Sequence, residues 1–415
     1  MNNHLKKSSA RPYVLITSNM YKPSIGGIEN SLYHLAQEYK KRNYEVIIVT
    51  SDINDLGLEL PEYEVLDEIN IYRYRAHAGR GVFGFSRHVF NAFYLYKKIL
   101  KNFQPSIVIC RYHFNLVLLK LAGCDCISYL IPGVVKNETQ ASMIQETKFL
   151  PKLRAKLSFD FHQWLQKKAI KDAESLFVFS QNMLSQTLDI TSRTDIKVTK
   201  PGVSLSRFFP LNKSEKSQIR QTLNLPTDRQ VMLCIGRHVK AKGFESVIRA
   251  VAKANLSNIE LWIVGDGPLT SYLEELIVEL QCPDQVKLLG RQQCPEKFYQ
   301  AADAFIMSSV YEPLGQTILE ALATGLPIIA AASSATVITA SSEIIDSSHN
   351  IMTNTHSVES FLQSIIVFSE LSEREYQVMS EYNRTQAETR FTWSALAEDL
   401  IPVSLKISSD KTESR

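Results

Sequence analysis

Glu312 and Glu320 stand eight positions apart in Tyr311-Glu-Pro-Leu-Gly-Gln-Thr-Ile-Leu-Glu-Ala-Leu-Ala-Thr-Gly-Leu-Pro327. The spacing predicts Glu312 at a strand-to-helix turn and Glu320 about two turns into the following helix. Pro313 and Gly315 suit a tight turn whose following amides are free at the helix N-terminus. Such a terminus favours negative charge, by ~0.3–1 kcal/mol at an exposed site and by more when dry. A phosphate beside Gln316 and Thr317 would use those amides. Glu312 and Glu320 could then accept hydrogen bonds from hydroxyls on either side of it. A ligand with hydroxyls at both ends and phosphate between them is a nucleotide sugar.

Two cations have a matching placement. Arg237 and Lys242 lie five residues apart, directly after the apolar run Val231–Ile235. As solvated surface charges they would carry no chemistry. After a buried strand they stand instead at the carboxyl edge of a sheet, where open α/β folds bind ligands. Near the start of the chain, Gly26 and Gly27 sit between a strand and a helix. There they form a simple turn or allow backbone to approach a phosphate. Glu29 either caps the positive end of that helix or faces the same ligand.

The elements that must hold these residues alternate from start to finish. Tyr13–Ser18, Val46–Ser51, Ile107–Cys110 and Leu176–Ser180 read as buried strands, and Glu29–Arg42 as a helix with Leu32, Leu35 and Ala36 on one face. Uninterrupted Val/Ile/Leu runs separated by helices are the sequence form of a parallel sheet covered on both faces. After Pro201-Gly202 the pattern restarts with Val231–Ile235, Leu261–Val264, Val286–Leu289, Ala304–Met307 and Pro327–Ala330. The fold class is therefore α/β, with two units of roughly 190 and 180 residues. Phe391 and Trp393 anchor a helical, charged tail, and the last ten residues read as frayed.

The segment Glu312 to Glu320 resembles the E-x7-E motif of retaining GT-B glycosyltransferases, specifically the family 4 group. Gly236-Arg237 and Lys242-Gly243 resemble that family's Gly-Arg and Lys-Gly, whose cations hold the diphosphate. Ile263-Val-Gly265-Asp-Gly-Pro268 resembles the segment bordering the nucleotide base, and Gly26-Gly27-Ile-Glu29 the N-domain glycine loop. The resemblance spans residues 13 to 395 and is strongest from 231 to 330. It implies two Rossmann-like domains facing across a cleft, residues 1–200 binding the acceptor and 201–375 the donor, with the helix 376–415 crossing back. It also implies closure of the domains over the donor, a nucleoside diphosphate sugar, and retention of anomeric configuration. Gly26, Gly27, Gly236, Gly243, Gly265, Leu314, Gly315, Gln316, Thr317 and Glu320 would contact that donor, while Glu312, Arg237 and Lys242 would serve the transfer. The acceptor hydroxyl would belong to a glycan, a lipid-linked saccharide or a small molecule, in bacterial glycan, glycolipid or glycoconjugate synthesis. A binding subunit that keeps the donor site without transfer chemistry is the alternative.

Two stretches depart from the family. Many members carry an N-domain histidine near the reacting sugar, where this chain reads Cys126-Ile-Ser-Tyr-Leu-Ile-Pro132-Gly133. His113, in Arg111-Tyr-His-Phe114, is the nearest substitute. After Pro327 the family runs a glycine pair and soon a Glu. Here Ala331-Ala-Ser-Ser-Ala-Thr-Val-Ile-Thr-Ala-Ser-Ser-Glu343 is longer and has no glycine, and this loop is expected near the donor.

The whole-chain arithmetic excludes other classes. With 415 residues, 46 Lys and Arg against 43 Asp and Glu, and a net charge of +3, the chain lacks the basic excess of a nucleic-acid binder. The sequence contains no Asp-x-Asp, so a divalent-metal diphosphate site is not indicated, and no cofactor is expected. Cys110, Cys124, Cys126, Cys234, Cys282 and Cys294 are scattered, the pattern of free thiols in a reducing cytoplasm. No secretory peptide core is visible after Met1. The uncharged stretch Ala321–Ser342 could span a bilayer on length, but Gly325 and Pro327 make it a helix end, turn and buried strand. Two basic, aromatic stretches suggest peripheral contact with the inner face of a membrane. One runs from Arg73 to Lys101, through Arg75, Arg80, Phe83, Phe85, Arg87, Phe90, Phe93, Lys97 and Lys98. The other runs from Lys148 to Lys171, with Phe149, Leu153, Leu157, Phe161 and Trp164 at helical spacing. Packing of the apolar positions on the domain, with solvated lysines, is the competing reading.

Overall fold

The structure, a computed structural model, describes residues 11–402 except 25, 55–57, 77–80, 137–148, 313–314 and 335, with backbone alone for 81–84 and 149–155. The chain divides into two compact units, Met1–Lys200 with Trp393–Arg415, and Pro201–Thr392.

The first unit is built on an eight-stranded sheet. Its strands are β1 (Tyr13–Thr17), β2 (Glu45–Ser51), β3 (Tyr63–Leu66), β4 (Ile69–Tyr74), β5 (Ile107–Cys110), β6 (Ser128–Leu130), β7 (Ser175–Val178) and β8 (Ile196–Val198). Their order is β3-β4-β2-β1-β5-β6-β7-β8, parallel except for the β3–β4 hairpin. The wholly buried pattern of β1 and nearly all of β2 reflects helices on both faces.

The hairpin was not among the expected strands, and it corrects one reading. Arg73 does not join an exposed basic stretch. It lies buried on β4 and donates to Glu64 Oε1 at 2.5 Å, while Arg75 donates to Glu62 Oε1 at 2.9 Å.

The second unit repeats the plan with β9 (Gln230–Ile235), β10 (Ile259–Val264), β11 (Val286–Leu288), β12 (Ala304–Met307), β14 (Ile328–Ala331) and β16 (Ile351–Thr353). These form an all-parallel sheet in the order β11-β10-β9-β12-β14-β16. Alternate residues feed two cores. Val231 and Leu233 pack on one side of the sheet with Trp262 and Phe305, and Met232 and Cys234 on the other with Leu261 and Ile306. Two further short strands, β13 (Tyr311–Glu312) and β15 (Ile338–Thr339), pair parallel to each other.

The tail departs from the expected boundary at 376. Helix Glu373–Arg390 packs in the second unit, where Asn383 is fully buried and donates to Leu326 O at 2.8 Å, and Phe391 joins that unit's core. The return to the first unit starts at Trp393, whose indole stacks on His34 at 5.0 Å. Tyr39 Oη donates to Ala397 O at 2.8 Å and secures the helix Trp393–Asp399 there. The last ten residues lie outside the described part.

Within Ala321–Ser342 the chain ends a helix, turns at Gly325 and enters β14, and no described helix is long and apolar enough to cross a membrane. All six cysteines are free, with Cys126 and Cys294 exposed and the others buried.

Candidate functional site

In the second sheet β9 and β12 are neighbours, with β10 beyond one and β14 beyond the other, so the strand order reverses between them. A crevice at such a switch point opens beyond the carboxyl ends of the strands. The predicted cations and carboxylates come from the two loops that leave this point.

After β9 the chain passes Gly236 and Arg237 and tightens into a 3-10 turn, Lys240–Lys242. Lys242 Nζ donates to Glu312 Oε2 at 2.5 Å, both side chains less than one-fifth exposed, at 19% and 15%. The second carboxylate oxygen of Glu312 accepts the Gly315 amide at 3.3 Å. Glu312 thus joins the β9 loop to the start of helix Gln316–Ala323. Arg237 is exposed, and its side chain makes no hydrogen bond or ion pair among the described residues. One cation is positioned and the other is free to meet a ligand.

Backbone contacts hold this arrangement. Ser308 Oγ donates to Lys242 O at 2.7 Å, and the Val310 amide to Ala241 O at 2.8 Å. The Ile338 amide donates to Val310 O at 2.8 Å and the Ala340 amide to Glu312 O at 2.9 Å. The glycine-free loop after β14 therefore braces Glu312 directly. Gly243 has φ +63°, and a Cβ there would lie 2.1 Å from Ser308 O. At Gly265, with φ +142°, a Cβ would lie 2.0 Å from Gly236 O, so the ends of β9 and β10 approach as no other residue permits.

Glu320, the fifth residue of the helix Gln316–Ala323, stands little more than one turn in, less deep than the spacing predicts, and accepts from Tyr299 Oη at 2.8 Å. Burial pushes its carboxyl up to about 7, partly offset by the tyrosine hydrogen bond and by Arg207. Gln316 Nε2 donates to Gly202 O at 3.3 Å, while its buried Oε1 has no partner among the described residues. Thr317 is half-buried beside it, and its carbonyl accepts from Tyr299 Oη at 3.3 Å. Leu314 and Pro313 lie outside the described residues.

Gly26, Gly27 and His113 belong to the first unit, at the corresponding switch point between β1 and β5. Gly26 precedes helix Gly27–Lys41, and the Glu29 carboxylate folds back over it, where a Cβ would meet Oε2 at 2.4 Å. Glu29 lies in the first turn of that helix, a position compatible with both readings of it. Arg111 follows β5, is buried, and donates to Ser31 Oγ; burial lowers its guanidinium to about 10. His113 is 6% exposed and its Nε2 pairs with His162 Nδ1 at 2.9 Å. Burial, reinforced by the facing His162, pushes His113 down to about 3 and keeps it neutral.

Three contributors carry no linear signal. Tyr299 holds Glu320, and His238, fully buried, pairs through Nδ1 with Thr270 Oγ1 at 2.9 Å beside Gly267. His356 Nε2 donates to Ser308 O at 2.6 Å, against the face of Gly243. Of these, only His238 sits next to a recognisable motif residue, Arg237.

The arrangement offers an ammonium, a free guanidinium and carboxylate acceptors to a ligand that carries phosphate and hydroxyls. Residues 25–207 match the family described as Glycosyltransferase Family 4, and residues 215–386 that described as Glycosyl transferases group 1. An uncharacterized glycosyltransferase of Methanocaldococcus jannaschii is 27% identical over 322 residues, covering 74% of this chain and 77% of that one. The alpha-monoglucosyldiacylglycerol synthase of Streptococcus pneumoniae is 26% identical over 322 residues, covering 75% of this chain and 69% of its own. Among solved structures, Anabaena HepE in complex with UDP and glucose superposes with a TM-score of 0.72 at 18% identity, covering 96% of this chain and 100% of that one. That likeness shows the fold as GT-B.

Proposed function

We propose, on the premise that the chain belongs to the family 4 and group 1 glycosyltransferases, that it moves a sugar from a nucleoside diphosphate sugar to a hydroxyl acceptor with retention and without a metal. The observation that carries this reading is the Lys242–Glu312 pair, with the Gly315 amide on the same carboxylate, at the switch point of the second sheet. The pair presents an ammonium and a hydrogen-bond acceptor side by side, which suits a sugar hydroxyl next to a phosphate.

When the bond from the anomeric carbon to the diphosphate breaks, the departing oxygen takes the electron pair. Arg237, Lys242 and the amides at the start of Gln316–Ala323 then offset the added charge. Lys242 and the amides are fixed before the reaction, so they need little reorganisation as charge develops. Glu312 accepts from the donor sugar and Glu320 from the ribose. Gly243 and Gly265 let the backbone close on the diphosphate, and the loop containing Ile338 sets the position of Glu312. In the first unit, Gly26 and Gly27 are the residues whose backbone would approach a phosphate. The HepE complex with UDP supports a uridine nucleotide as the first donor to test. Glycan, lipid-linked and small-molecule acceptors all offer the required hydroxyl.

A thermal-shift screen of nucleotide sugars tests the donor, because a bound ligand raises the unfolding midpoint according to its affinity. A stabilising donor that turns over with an acceptor in the presence of EDTA is expected. Stabilisation by no nucleotide sugar would overturn the reading.

A further inference from the structure

The loops that leave β9 and β10 are joined through one histidine. His238 stands between Arg237 and Lys242 in the chain and is fully buried. Its main chain meets the loop after β10 twice. The amide donates to Asp266 O at 2.8 Å, and the carbonyl accepts from the Leu269 amide at 3.0 Å. Gly267 packs against the same main chain, where a Cβ would lie 2.7 Å from His238 O. The ring adds a side-chain link, with Nδ1 2.9 Å from Thr270 Oγ1. Among the described residues, no other side chain hydrogen-bonds between residues 236–243 and 265–270.

The hydrogens of this link can be assigned. Thr270 has one hydroxyl hydrogen, which goes to Gly267 O at 2.9 Å, while its oxygen accepts the Gly267 amide at 3.1 Å. The ring therefore donates from Nδ1. Nε2 is the bare nitrogen, buried and without a partner among the described residues. Burial holds the ring below its usual pKa against the opposing pull of Asp266 and Glu274, so near neutral pH it carries this one N–H.

Thr270 is the first residue of the helix Thr270–Glu279, so the link also fixes where that helix starts. In the donor reading, the turn Gly265–Leu269 borders the nucleotide base, and the turn with Arg237 and Lys242 holds the diphosphate. A ligand that bridges two subsites gains when their spacing is set in advance, because its second contact then costs little further ordering.

We propose that His238 is a positioning residue that sets the spacing between the base and diphosphate subsites of the second unit, through the Nδ1–H it donates to Thr270. The inference rests on the donor reading and adds to it a residue that stays out of contact with the ligand.

The probes are inorganic pyrophosphate and whichever of UDP, GDP and ADP binds the wild-type chain most tightly in calorimetry. His238→Ala should weaken the nucleoside diphosphate about tenfold and leave pyrophosphate within about twofold, because only the former spans both subsites. The donor KM should rise in step, while kcat at saturating donor stays within about twofold. His238→Asn should recover most of the loss, since its amide nitrogen takes the place of Nδ1. His238→Gln, whose amide lies one carbon further out, should not. Thr270→Val breaks the same link from the other side with little change of shape. It should match His238→Ala, and the double variant should bind no more weakly than either single one. Unfolding midpoints show which variants remain folded, and Thr270→Val carries the test where His238→Ala does not. Undiminished nucleotide affinity in folded Thr270→Val would overturn the proposal and leave the donor reading standing, as would an equal loss of nucleotide and pyrophosphate. A wild-type chain that binds none of the three nucleotides would overturn both.

Discussion

Lys242 and Glu312, seventy residues apart, meet at 2.5 Å and join the loops leaving two adjacent parallel strands. The contact has two consequences. It holds the ammonium in place before any phosphate arrives, and it leaves each charge dependent on the other in a site that is mostly desolvated. A donor entering the site need only add its phosphate oxygens to an ammonium that still has N–H donors to spare.

Removing either partner should therefore separate catalysis from folding. Lys242→Ala and Glu312→Gln are each expected to lower kcat/KM by about 10²–10³, the usual cost of losing one preorganised group from a charge-developing site. Lys242→Ala should also weaken nucleoside diphosphate binding in a thermal-shift titration. Glu312→Gln, aimed at the sugar, should leave that binding nearly intact. Turnover within twofold of wild type in either variant would remove the pair from the mechanism.

Glu320 gives the site a pH dependence whose sign can be worked out. Its carboxyl is raised from 4.5 to about 7 by burial, so the folded chain keeps a proton that the unfolded chain has lost. That contribution to stability is present at low pH and declines as pH rises from about 4.5 to about 7. Ribose hydroxyls donate to the ionised form, so donor binding should expel the proton and strengthen with pH. Between pH 6 and 8 the gain should be about tenfold, measured by calorimetry with UDP. Glu320→Gln should flatten this component while the nucleotide's own phosphate titration remains. An identical slope in the two proteins would show that Glu320 does not touch the ribose.

Gly243 and His356 test how Lys242 is held. A Cβ at Gly243 would lie 2.1 Å from Ser308 O and 2.6 Å from His356 Nε2, on a backbone with φ +63°. Gly243→Ala should thus displace the turn that carries Lys242 and lower both stability and donor binding. His356→Ala removes the donor to Ser308 O together with an edge-on ring contact to Phe361 at 5.4 Å. It is expected to reduce kcat several-fold at a nearly constant unfolding midpoint, with partial recovery in His356→Gln, whose amide can reach the same carbonyl. Equal activity in all three proteins would make His356 incidental to the site.

The parts of this site legible in the sequence are those built from local spacing. Glu312 and Glu320 lie on one turn and one helix, so eight residues of chain are enough to place them. The meeting of Lys242 with Glu312 depends on β9 and β12 being neighbours, which no local pattern states. His356 was invisible because one histidine near the end of a β-strand has no signature. The hairpin β3–β4 was missed for a different reason. Glu62, Glu64, Arg73 and Arg75 look like solvated charges when read along the chain, yet they pair across the two strands, and Arg73 is buried by that pairing. The tail was placed too early because Glu373–Arg390 is strongly polar. Its few buried positions, Met379, Asn383 and Ala387, are enough to fix it to the second unit.

His113 separates a structural from a chemical role. Its ring pairs with His162 at 2.9 Å and is held neutral, pushed down to about 3 by burial. An unfolded histidine titrates near 6.5, so the folded state resists a proton that the unfolded state accepts. The pair's contribution is complete above about pH 6.5 and is lost as pH falls toward 3. His113→Ala leaves His162 without its partner and opens a cavity, at a cost of about 1–3 kcal/mol. The unfolding midpoint should fall by several degrees, and the variant's stability should depend less on pH between about 6.5 and 3. At a temperature where both proteins are folded, kcat/KM should stay within about twofold. A large loss of kcat with an unchanged midpoint would place His113 in the transfer chemistry and make its pairing with His162 a resting arrangement.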